Sequence, residues 1–307
     1  MIAFVVRRFG AAVIVAWLAL TLAFVALRWL PGDALDATMV RAGWSTEAID
    51  ARRTDLGLND PIWQQYGVYL GGVVRGDWGE SLISGQPVTE IITQNIGPTA
   101  VLAGASLLVA ITLGLGLGIL AGTVPLRTVR YGAEGLASLA LATPVYWTAT
   151  LAIYFFTVFF DILPGVGGSG PRYLILPALI LGFHTAGSIA QVTAQSVREA
   201  ASEDFVRTAR AKGLPTLDVI DHVLRAGLLP VIAVVALQLG FLIGGTVITE
   251  TIFVRRGLGR VMLDAITDRD YPVVQGLVVL AALAISLINA LADVIYALVD
   301  PRVRDAV

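Results

Sequence analysis

The sequence contains no cysteine, which excludes disulfides, thiolate zinc sites, iron–sulfur clusters and cysteine nucleophiles together. It is also poor in charge: Asp, Glu, Lys and Arg make up 14% of the residues, against roughly 25% in a soluble domain. Lysine occurs once, at Lys212 in Ala211-Lys212-Gly213. A P-loop requires G-x-x-x-x-G-K-[ST], so the chain carries no Walker A site, and if it runs on ATP another chain hydrolyses it. Neither H-E-x-x-H nor G-x-S-x-G occurs, and no grouping of nucleophile, base or metal ligands points to catalysis. With 21 Lys+Arg against 23 Asp+Glu the net charge is -2, too balanced to offer nucleic acid a basic field.

What the chain has in abundance is apolar surface. Of its 307 residues 56% are hydrophobic, and the mean hydropathy is +0.79, the composition of an integral membrane protein. A bilayer core about 30 Å thick takes about 20 apolar residues as a helix. Six stretches qualify, at 9–30, 99–122, 134–160, 173–196, 229–252 and 273–299. Backbone in lipid must satisfy its own hydrogen bonds, so each stretch is expected to be helical and the fold all-α. The first run exceeds the apolar region of a cleaved signal peptide and reads as a retained span. Six spans put both termini on one side, and the Arg7-Arg8 start with the basic 198–225 stretch favours inside for both. The chain then divides into the N-terminus with the first span (1–30), an outer hydrophilic segment (31–98), and a core of five spans (99–307) carrying an inner loop at 198–228. Helices are expected at 46–55, capped by Ser45 or Thr46, and at 61–74. Segment 31–98 is either a small cap or a docking surface for another protein.

Within the spans, Gly114, Gly118 and Gly122 recur every four residues, as do Gly240 and Gly244, which lets helix backbones approach closely. Pro144 and Pro177 should kink or break their helices unless neighbours take up the freed carbonyls. Ionisable groups are sparse: His184 in the fourth span, Asp293 toward the inner end of the sixth, and Glu250 near the outer end of the fifth. His184 and Gln238 could line a translocation path, and His184 could equally be a neutral imidazole bonded to a neighbouring helix. No series of Asp, Glu and His crosses the spans as a proton-driven carrier would need.

The inner loop holds a fully punctuated short helix. Ser202 is placed to cap it, Glu203 and Asp204 sit at its positive end, and Arg210 and Lys212 at its negative end. Gly213 suits the left-handed position that follows. About ten residues make a marginal helix in water, so docking of its Phe205/Ala209 face is expected to stabilise it. The alternative is a linker helix lying on its own membrane domain.

Across the chain, a set of motifs resembles the permease subunits of binding-protein-dependent ABC importers, in the dipeptide/oligopeptide/nickel branch. They are Leu30-Pro31-Gly32-Asp33, Leu56-Gly57-Leu58-Asn59-Asp60-Pro61, Gly76-Asp77-Trp78-Gly79-Glu80-Ser81, Asp204 to Leu214, Leu228-Leu229-Pro230, Glu250-Thr251-Ile252-Phe253, Gly257-Leu258-Gly259-Arg260, Arg269 to Gly276 and Asp300-Pro301-Arg302. The resemblance implies a type I importer permease fold, N-in and C-in, with a cytoplasmic coupling helix formed by Asp204, Phe205, Val206, Arg207, Thr208, Ala209, Arg210, Ala211, Lys212 and Gly213. Glu199-Ala200-Ala201 is a decoy for the "EAA" motif, whose place Arg207-Thr208-Ala209 takes. Glu250, Phe253, Gly257, Gly259, Arg260, Asp270 and Tyr271 would belong to an outer loop near the pathway and the binding protein. Arg256 stands where the branch often has Pro, and Gln191 and Ala194 where it often has Arg.

The implied activity is half of an alternating-access pathway in a prokaryotic cytoplasmic membrane, for di- or oligopeptides first and nickel chelates, glutathione or oligosaccharides as alternatives. The implied partners are a homologous second permease, two ATPase subunits that bind the ATP and Mg, and an extracytoplasmic binding protein. No catalytic residue, metal or cofactor is assigned to this chain. A carrier or channel without an ATPase is the reading from a different class.

Overall fold

A computed structural model describes residues 2–29, 45–55, 57–168 and 170–299, and among them every regular element is helical. In chain order these are α1 (Ile2–Trp29), α2 (Thr46–Asp55), α3 (Ile62–Arg75), α4 (Val88–Thr123), α5 (Arg127–Ala142), α6 (Val145–Ile153), which continues as a π-helical stretch Tyr154–Phe159, α7 (Arg172–Ser202), α8 (Asp204–Ala211), α9 (Thr216–Gly227), α10 (Leu229–Ile252), α11 (Leu258–Thr267) and α12 (Tyr271–Val299). Residues 30–33, 56 and 300–302 of the motifs, and the side chain of Asp293, lie outside the described residues.

Among the described residues, five segments are long and apolar enough to cross a bilayer: Gly10–Trp29, Val88–Thr123, Arg172–Ser202, Pro230–Ile252 and Tyr271–Ala292. The third expected span is a helix pair, α5 and α6–π, bent by 103° at Thr143-Pro144, and counting it as one span gives six. The helices expected at 46–55 and 61–74 are α2 and α3, and the Ser45 hydroxyl accepts the Ala48 N–H at 3.3 Å as an N-terminal cap.

The chain forms two compact units, one of residues 1–99 with 256–286 and one of residues 100–255 with 287–307. In the first, Val88, Ile92, Ala265, Val273, Val274 and Leu277 form the core, with Trp78 packed on it. There α3 is held on α1 around Phe24, whose ring meets Tyr66 edge-on at 5.2 Å and stacks with Tyr69 at 5.8 Å. The Arg28 guanidinium lies 3.8 Å from the centre of the Phe24 ring, and its Nε donates to Gln65 Oε1 at 2.9 Å.

The second unit is organised on α7, which half-buries its length. Its contact with α4 is the first glycine run: a Cβ added at Gly118 would lie 2.4 Å from the Thr193 Cβ. Added at Gly114 or Gly122 it would lie 2.7 Å from Ile189 or Val197. Only hydrogen fits, and the backbones approach accordingly. The second run behaves differently. A Cβ added at Gly240 or Gly244 would meet no neighbouring element among the described residues within 4 Å, and the two lie beside exposed Leu237, Phe241 and Ile248 on one face of α10.

Candidate functional site

The inner loop folds as two helices, α8 and α9, capping the end of α7. Val206, at 2% exposure, packs into a cluster with Val197, Ala200, Val219 and Val223. The end of α8 is a complete left-handed cap: Gly213, at φ +74°, donates its N–H to the Arg210 carbonyl at 2.9 Å, and Leu214 donates to the Ala209 carbonyl at 3.2 Å. Leu214 packs against the same cluster. One expectation needs correction. Ser202 is the last residue of α7, and its hydroxyl donates backwards to the Glu199 carbonyl at 2.7 Å, while extended Glu203 precedes α8 with no side-chain cap. Ala209, one turn after Phe205 on the same side of α8, is half-buried against the Val206 cluster. Phe205 itself is 38% exposed. Arg207 and Asp204 stand in solvent, 3.8 Å apart, a separation and exposure worth little in stability.

The expected outer-loop residues split between the two units. In the first, Asp270 is buried and its carboxylate accepts from the Ser81 hydroxyl and the Leu82 N–H, the latter at 3.1 Å. Tyr271 is buried beside it in sequence, Gly259 is buried in α11, and Arg260 lies 3.7 Å from Asp264 one turn on. Gly257 is extended, and Thr99 Oγ1 accepts the Leu258 N–H at 2.8 Å, capping α11. In the second unit Phe253 and Glu250 are buried at the end of α10. Burial pulls the Arg255 pKa down from its ordinary value, and the Glu250 carboxylate opposes that pull.

The proline sites give the clearest chemistry inside the spans. Pro144 deprives the Ala140 carbonyl of its helical donor, and His184 Nδ1 reaches that oxygen at 2.7 Å. A carbonyl only accepts, so Nδ1 carries a hydrogen, and in the neutral ring Nε2 accepts from the Thr148 hydroxyl at 2.6 Å. His184 thus ties α5 to α6 across their bend. Pro177 likewise deprives Tyr173, whose carbonyl accepts from Arg255 Nη1 at 3.1 Å. Gln238 is buried within α10.

A third group went unremarked from sequence. Glu134 of α5 accepts from Arg198 of α7 at 2.9 Å beside a cavity of about 480 Å³. Two of the residues noted as departures, Gln191 and Ala194, line it. Neither this pair nor Ser81–Asp270 leaves a local trace, because each joins residues far apart in the chain.

The described residues thus form an all-helical set of long apolar segments, with the α8–α9 hairpin between α7 and α10. Residues 114–305 match the family described as "Binding-protein-dependent transport system inner membrane component", and residues 1–103 match its N-terminal companion. The chain belongs to this family of membrane components. The dipeptide transport system permease protein DppB of Escherichia coli (strain K12) is 36% identical over 337 residues, covering 99% of each chain. The glutathione transport system permease protein GsiC of the same strain is 35% identical over 307 residues, again covering 99% of each. Among solved structures, the inward-facing MetNI methionine ABC transporter matches with a TM-score of 0.57 at 17% identity, covering 68% of this chain and 96% of that one. An amino acid ABC transporter solved with histidines matches at 0.51 and 14% identity, covering 70% and 94%. These two establish the fold, that of the type I ABC importer permeases.

Proposed function

We propose that this chain forms half of the pathway of an ATP-driven importer of di- or oligopeptides in the cytoplasmic membrane of a prokaryote. It lies N-in and C-in, pairs with a homologous second permease, and couples through α8 to ATPase subunits that hold the ATP and Mg. The dipeptide and glutathione permeases that cover the whole chain support a peptide cargo, glutathione being itself a tripeptide. A binding protein would deliver it to the outer face, where Asp270 fixes the 78–88 turn against α12. The open Gly240/Gly244 face of α10 suits the second permease, since small residues admit a neighbouring helix.

The observation that carries the coupling role is the division of labour on α8. Val206 holds the helix on its own domain, leaving the Phe205 ring free for a partner. Full burial of such a ring contributes about 1.5–3 kcal/mol, and docking would cover only the 38% of Phe205 still exposed, a gain of roughly 0.6–1.1 kcal/mol. Phe205→Ala should therefore reduce ATPase copurification by roughly three- to sevenfold, at about 1.4 kcal/mol per decade. Transport should fall with it, while membrane insertion is kept. Arg127→Ala, exposed at the start of α5, should change neither. Full ATPase retention in Phe205→Ala would reduce α8 to a linker.

A further inference from the structure

The cavity between α4, α5 and α7 has a volume of about 480 Å³, within the range of small-molecule sites. Glu134 and Ser138 enter it from α5, and Gln191, Gln195 and Arg198 from α7; apart from Leu117, the rest of its wall is alanine. Gln191, Gln195 and Arg198 form one stripe of α7. Polar groups on a spanning helix face protein or water because lipid cannot solvate them. An alanine wall also lacks the long aliphatic side chains that would seat an acyl chain.

The charges narrow the occupant. One carboxylate and one guanidinium line the cavity, 2.9 Å apart and each more than a third exposed. Arg198 Nη2 also reaches Gln195 Oε1 at 3.5 Å, and Arg130 stands 4.0 Å behind Glu134. Arg130 is outside the lining, so the wall itself carries one charge of each sign and favours a solute that does the same; an anion would meet Glu134 as a like charge. Positions 191 and 194 of the wall are Gln and Ala, so neither adds a charge to the lining.

We propose that this cavity is a binding station for a small zwitterionic peptide, with Glu134 taking the α-ammonium and Arg198 the α-carboxylate. Ser138, Gln191 and Gln195 supply donors and acceptors for the peptide group between them. The assignment rests on the peptide-importer reading above. When the station is empty the two charges satisfy each other. Each bond to the peptide therefore replaces one already made, and affinity is weak, roughly millimolar, as suits a solute in transit.

The absence of cysteine makes the test direct. Ser138→Cys places one thiol of this chain in the cavity, and its maleimide labelling is read by mass spectrometry. The sample is the whole importer complex in nanodiscs. About 10 mM dialanine should slow labelling roughly tenfold, and N-acetyl-dialanine amide, which lacks both charges, should not. Adding Glu134→Gln should abolish the protection; adding Arg127→Ala should keep it. Equal labelling with and without dialanine, or equal protection by the blocked compound, overturns the assignment. So does protection that appears without peptide when phosphatidylethanolamine replaces phosphatidylglycerol, because the zwitterion is then a lipid headgroup. ATP-dependent uptake of dialanine into proteoliposomes separates the two readings. Uptake with an unprotected thiol removes only the station, and protection without uptake removes only the import function.

Discussion

Pro144 and Pro177 each remove the N–H that would bond a carbonyl four residues earlier, yet α5 ends before the first and α7 continues through the second. Position in the helix accounts for part of the difference. Pro177 is the sixth residue of α7, so only the opening turns lose a bond. Pro144 follows Thr143, which is extended at φ -93°, ψ 138°, as the clash with a proline ring favours, and the helix axis turns by 103° there. The donors that answer the two orphaned carbonyls differ as well. At Pro177 it is the cation Arg255, from the segment after α10; at Pro144 it is His184, from the middle of a span. A charged donor suits a helix end, where water and Glu250 are at hand. Inside the bilayer a neutral imidazole does the same work without a charge to solvate. In each case the proline is tolerated because a residue distant in sequence closes the hydrogen bond.

That comparison can be broken at either donor. Arg255→Met should have the larger effect, because it removes a charged hydrogen bond and the cation that faces buried Glu250. The expected cost is about 1.5–3 kcal/mol, read as a lower unfolding midpoint of the purified chain in detergent. Pro177→Ala in that background restores an N–H for Tyr173 and should recover part of the loss. An unchanged midpoint in Arg255→Met would mean that the Tyr173 carbonyl is satisfied some other way.

His184→Ala should cost less, about 1–2 kcal/mol, the penalty of an unpaired buried carbonyl. Here the double variant with Pro144→Ala sharpens the contrast. If His184 acts only for the missing N–H, the two substitutions should couple by roughly 0.5 kcal/mol or more. Additive losses would show that the bend persists without the proline and that Thr143 holds it.

Much of this architecture was legible in the sequence because it follows local rules. The glycine run 114–118–122, the helices α2 and α3, and the left-handed cap at Gly213 all depend on residues within a turn or two. Ser202 misled because two helices meet there. A residue that ends α7 in helical conformation cannot also adopt the extended conformation of a cap for α8, and Glu203 takes that place. The pairing of Ser81 with Asp270, 189 residues apart, and of His184 with Ala140 has no sequence period to betray it. The two prolines did announce that carbonyls would be orphaned, and only the identity of the donors was hidden.

The smallest expected effect tests which of the two His184 bonds matters. Thr148→Val keeps the branched shape at the start of α6 but removes the hydroxyl 2.6 Å from Nε2. That hydroxyl also lies 3.0 Å from the Val145 carbonyl. Loss of one neutral hydrogen bond should cost about 0.5–1.5 kcal/mol, less than His184→Ala, because Nδ1 still reaches the Ala140 carbonyl. The same unfolding measurement ranks the two variants. A loss in Thr148→Val equal to that in His184→Ala would place the weight on the hydroxyl instead of the orphaned carbonyl. The likeness between Pro144 and Pro177 would then be one of position only, since His184 would be fastening α6 for reasons unrelated to the proline.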